Sequence, residues 1–176
     1  MYVKHAYVEN PNVRGPWVNT IRIRAGRFPW SSGAEIMAGE PKLDWLKRVR
    51  ISERLIGPFA WTAFHRSYDG VDMGLQQSWG GLTAMASHPT KGGFEERGGV
   101  PINAIDLAAS SLTFTPGLGL LPHTAARGFY VGYWDRRLVT QRVDNVAATA
   151  KRVNLEIHTF GGELIGAYPV GPVELD

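Results

Sequence analysis

KRVNLEIHTFGGELIGAYPVGP, residues 151–172, decides how the chain is read. Val153, Leu155, Ile157 and Thr159 alternate with Arg152, Asn154, Glu156 and His158. A side-chain period of two is the pattern of a half-buried β-strand. Gly161-Gly162 then offers the two positive-φ positions of a tight primed turn, so the stretch predicts a hairpin returning through Glu163 to Val170. Pro169 lacks an N–H for a ladder and marks an edge or strand end. His158 falls on the polar side, where solvation explains it without chemistry.

Similar signals recur along the chain. Tyr2–Glu9, Trp17–Arg24, Leu46–Ile56, Phe59–Arg66, Ser110–Thr115 and Gly128–Trp134 each read as a strand. Asp135-Arg136 reads as a turn into a further strand, Leu138–Val143. Short strands at such spacing predict an all-β sandwich or barrel, with a jelly roll as the expected form. Helix is confined to single turns at Ala34–Ala38 and Leu43–Lys47 and to two turns at Asp144–Lys151. Two long connections, residues 26–42 and 80–104, read as loops.

Composition agrees. The 176 residues form one expected domain, residues 1–176, with 44% hydrophobic and 20% charged residues, so a packed core is within reach. No apolar run is long enough to span a bilayer, and the N-terminal MYVKHAYVENPNV carries no secretory signal. The absence of cysteine excludes disulfides, thiolate nucleophiles and cysteine-bound zinc. A net charge of +3 requires no specific nucleic-acid partner.

Catalytic patterns are sparse. His5, His65, His88, His123 and His158 are far apart, with no HxH or HExxH pair, and no GxSxG elbow is present. No cofactor and no catalytic residue is expected. Should the chain be an enzyme with a site at a barrel mouth, His65, Asp69 and Asp72 are the residues to examine, although Asp69-Gly70 also reads as a turn.

The arginines are more suggestive. Arg22 and Arg24 share one face of a predicted strand, and Arg48, Arg50 and Arg54 share one face of another. Merged, these faces would make a guanidinium stripe for an assembly partner or an anionic membrane surface. Trp30 and Trp79 are candidate loop contacts, and with Trp134 they form the alternative of a sugar- or receptor-binding platform.

The strand-rich C-terminal half (ARGFYVGYWDRRLVTQRV, then KRVNLEIHTFGGELIGAYPVG) and the two long connections resemble, in overall character, the small single jelly-roll major capsid proteins of internal-membrane icosahedral phages of thermophilic hosts. That resemblance implies a structural subunit made in the host cytoplasm and found in the virion. Its partners would be copies of itself, as a dimer or larger, and a second, larger capsid protein. No motif carries a functional residue across.

Overall fold

The computed structural model describes residues 3–15, 18–62, 64–93, 97–115, 122–140 and 152–168. Seven strands make one antiparallel sheet: β1 (Ala6–Gly15), β2 (Val18–Phe28), β3 (Tyr68–Gln77), β4 (Gly80–Pro89), β5 (Ile105–Phe114), β6 (Thr124–Thr140) and β7 (Arg152–Gly166). Their order in the sheet is their order in the chain, β1 to β7. The all-β, single-domain expectation is met. The connectivity is that of a meander, in which each strand pairs with the next, and the crossed connections of a jelly roll are absent among the described strands.

A second layer comes from the segment between β2 and β3. It holds a short helix, α1 (Pro41–Leu46), which runs directly into a π-helical turn at Lys47–Ile51. Pro41 stands at the helix start, where its missing N–H costs nothing. Asp44 accepts hydrogen bonds from the N–H groups of Ala38 and Gly39 at 2.7 and 3.3 Å, tying the approach to the helix. Leu43 and Lys47, four residues apart, turn one stripe of this layer inward and are both buried.

The core lies between this layer and one face of the sheet. Phe28, Trp30, Tyr68, Met85, Leu107, Ala109 and Val131 form it, with Trp30 edge-on to Tyr68 at 6.5 Å between ring centres. The Tyr68 hydroxyl donates to the carbonyl of Gly57 at 2.9 Å, which anchors the covering segment. A buried ion-pair cluster anchors it a second time. Arg127 on β6 donates to Glu35 at 2.7 Å, to Ser32 at 3.1 Å and to Glu163 on β7 at 3.0 Å.

Several sequence expectations are corrected. Gly161-Gly162 is no turn: β7 runs straight through it, with Gly161 opposite Phe129 and Gly162 opposite Gly128. The reason is steric, because a Cβ on Gly161 would come within 2.3 Å of the Phe129 ring. The glycine makes room for an aromatic on the neighbouring strand. Asp135-Arg136 is likewise no hairpin turn but a bulge in β6, where the register steps from Asp135↔Leu155 to Val139↔Val153. Asp135 takes the N–H and guanidinium of Arg137 there, at 2.9 and 2.6 Å, and these bonds hold its carboxyl below the usual carboxylate range.

The predicted strand Leu46–Ile56 is helical in its first half. Its alternating Val49 and Leu55 are exposed, whereas the helical stripe through Lys47 is buried. Phe59–Arg66 is also not a strand. Phe59 has a φ of 52°, and Thr62 Oγ1 bonds back to the Phe59 carbonyl at 2.7 Å, so the chain turns. Residues 34–38 are irregular, with a bend at Glu35-Ile36, rather than a helical turn. The loop expected over 80–104 begins with β4, joined to β3 through the two residues Ser78-Trp79. Gly80 has a φ of +143°, and a Cβ there would meet the Thr113 carbonyl oxygen at 1.9 Å, so only glycine closes this turn. The predicted helix Asp144–Lys151 lies outside the described residues. Among the described residues, no helix is long and apolar enough to cross a membrane.

Candidate assembly surface

The register assigns every described strand residue to a face. The covering segment takes the face bearing Phe28, Tyr68, Met85 and Val131. The opposite face has no second layer among the described residues, and it is apolar. One row across the sheet reads Val8, Ala25, Val71, Ala86, Ala108, Gly132 and His158. The next reads Ile23, Met73, Ala84, Ser110, Tyr130 and Phe160, and a third reads Ile21, Leu75, Leu82, Leu112 and Gly128. Val8, Ile23, Val71, Met73, Leu82, Leu112 and Phe160 are all exposed, Phe160 by 75%.

Small residues fill the middle strands of the first two rows, between Val71 and Phe160, and Leu82 and Leu112 stand higher in the third. The three rows span about six residues at about 3.4 Å along six neighbouring strands at about 4.8 Å, on the order of 600 Å². A typical monomer's largest apolar patch is about 300–600 Å².

A charged margin bounds the face at one end. Arg27 holds Asp69 through two bonds of 2.6 and 2.7 Å. His88 and Arg136 both reach Asp106, at 3.2 and 2.7 Å. An aromatic line continues along β6 and β7. His158 joins Tyr130, whose hydroxyl lies 2.8 Å from its Nδ1, to Glu156, 2.8 Å from its Nε2. Trp134 Nε1 donates to the same Glu156 oxygen at 2.9 Å, and Tyr130 packs on Phe160 at 4.9 Å between centres. The Trp134 and His158 bonds hold the Glu156 carboxyl below its ordinary value.

The sequence-predicted site residues are scattered. Arg22 and Arg24 do share a face, but it is the covered one, and both bind the buried carboxylate of Asp72. Arg48, Arg50 and Arg54 lie on and just past the π-helical turn, where Arg54 donates to the carbonyls of Arg50 and Val49 at 3.3 Å. The guanidinium stripe is therefore not formed. Trp30 is in the core; Trp79 sits in the β3–β4 turn against Phe114 at 5.5 Å; Trp134 is in a strand and not a loop.

Asp69 and Asp72 belong to β3 and point to opposite faces, each held by arginine, so they do not form a catalytic pair. His65 precedes β3, and no group of three metal-ligating side chains occurs among the described residues. What sequence reading missed was the second apolar face. Its signal was present: Ile21, Ile23, Val71, Met73, Leu82 and Leu112 are apolar at the positions that a half-buried strand fills with polar residues.

No family profile, curated protein or solved structure matches the chain.

Proposed function

We propose that the chain is a structural subunit that assembles by packing this apolar sheet face against the same face of a second copy. The exposed rows centred on Val71, Met73, Leu82 and Leu112 are the observation that carries the reading. Burial of such a surface is the main favourable term in association. Its estimated area, roughly 600 Å², falls at the low end of what one partner of a specific interface buries. The margin favours a second copy over a lipid surface. Arg27 and Arg136 each face a carboxylate, so the rim carries both signs and can meet its own image across a two-fold axis. Two sheets packed this way, about 10 Å apart, make a β-sandwich between copies.

A viral capsid subunit, the resemblance drawn from the sequence, is one form of such an assembly, and a second capsid protein would be a further partner. The absence of cysteine allows a direct test. Single cysteines at Val71, Ala86 or Leu112 should give covalent dimers with a bis-maleimide of about 10 Å reach. A cysteine at exposed Lys42, on the covered side, should not. Equal yields from all four positions, or none from the outer face, would remove the proposal.

The line Trp134, His158, Tyr130 and Phe160 supports a second reading, a sugar-stacking face. Glycan binding by a strict monomer, lost in Phe160→Ala, would favour it instead.

A further inference from the structure

On the covered side of the sheet, independent of the assembly face, an open pocket of about 250 Å³ lies between β2 and the start of the covering segment. Arg22, Arg24, Trp30, Ser31, Glu35 and Ser52 line it. That volume is several times the roughly 30 Å³ a water molecule occupies in the liquid.

Its chemistry is weighted toward donors. Arg22 Nη2, Arg24 Nε and Arg24 Nη2 all converge on one oxygen of Asp72, at 2.9, 3.1 and 2.9 Å. Two guanidinium cations thus share one carboxylate. Arg22 Nε remains buried without an acceptor, and so does the indole Nε1 of Trp30, which is only 5% exposed, while the other oxygen of Asp72 is buried without a donor. Unsatisfied buried donors are uncommon, because each loses its water without compensation. Glu35 does not supply the missing acceptor. One of its oxygens takes Arg127 at 2.7 Å and the other takes the Gly33 N–H at 2.9 Å. The hydroxyl-bearing Ser31 and Ser52 complete the wall.

We propose that this pocket binds a small oxyanion, a phosphate or carboxylate group, between the Arg22 guanidinium and the Trp30 indole N–H. The planar fork of arginine suits a two-oxygen acceptor, and a charged acceptor makes the stronger hydrogen bond to each donor. Arg24 stays paired with Asp72 through two hydrogen bonds.

The test is a titration of ¹⁵N-labelled protein with inorganic phosphate, with acetate as a carboxylate arm and chloride at matched ionic strength as the control. The Trp30 indole signal, assigned by its loss in Trp30→Phe, should shift saturably with phosphate, acetate or both, and not with chloride. The acetate and phosphate arms decide which oxyanion is preferred. Calorimetry on Arg22→Gln, where Arg24 still pairs Asp72, should read an affinity at least about tenfold weaker. Should Trp30→Phe not fold, Arg22→Gln and the chloride control still decide. A shift that never saturates, equal response to chloride, or unchanged affinity in Arg22→Gln would overturn the proposal and leave a hydrated pocket only.

Discussion

Gly161 and Gly162 are chemically identical neighbours with opposite demands. A Cβ at Gly161 collides with the Phe129 ring, whereas at Gly162 it meets only the Arg127 carbonyl oxygen at 3.7 Å, an ordinary contact. Gly161→Ala should therefore destabilise by about 1–3 kcal/mol through overpacking. Gly162→Ala should be neutral or slightly stabilising, since a strand interior gains from losing glycine. Denaturant midpoints of the two variants check this. Equal losses at both would favour the positive-φ turn that the sequence pattern suggested. Lys47 makes a different residue-scale prediction. Its ammonium is buried and donates to the Ile36 carbonyl, and desolvation, aided by Arg127, lowers its pKa despite Glu35, Glu163 and Asp44. With the folded value below the unfolded one, the unfolded chain binds more protons between the two, so this residue makes stability rise with pH there. The Tyr68 phenol is shifted up by burial and acts with the opposite sign in alkali. The difference between wild type and Lys47→Met, followed from about pH 8 to about 10.5, isolates the lysine. Wild type should gain on the variant as pH rises, and parallel curves would contradict the burial of a charged amine.

At the scale of elements, the covering segment depends on a few polar anchors more than on regular structure. Arg127 joins Ser32 and Glu35 of that segment to Glu163 of β7, and its side chain is almost fully buried. Arg127→Met would strand two carboxylates, and breaking a buried pair from one side costs about 3–5 kcal/mol. Thermal unfolding should fall accordingly, with new protease sites in residues 29–67; cleavage confined elsewhere would refute the anchoring role. Elements were unevenly legible. Alternation located β2, β5 and the first half of β7, although only in β5 is one alternating set consistently buried. It failed over 46–56, where an alternating pattern and a four-residue stripe coexist and packing against β6 and β7 chose the stripe. It failed again at Asp69-Gly70 and Gly161-Gly162, where glycine serves close strand contacts instead of turns.

For the whole molecule, strand content was visible in local pattern but strand order was not, since nothing local says that each strand pairs with the next in the chain. The candidate surface was half legible. Arg22 and Arg24 were correctly assigned to one face, but nothing local says that this face is the covered one. Val71, Met73, Leu82 and Leu112 are apolar yet exposed, because among the described residues the single sheet has a cover on its other face only. A double variant, Val71→Lys with Leu112→Lys, should leave the fold intact because both side chains are already exposed. It should abolish association, and circular dichroism beside sedimentation separates those outcomes; an unfolded variant would mean that the face is internal packing.

The measurement that tests the central claim most directly is absolute mass by light scattering behind a sizing column, followed over dilution. The account predicts twice the 19.4 kDa chain mass or more, persisting at low micromolar concentration and insensitive to salt because the contact is apolar. A mass of 19.4 kDa at every concentration would contradict it.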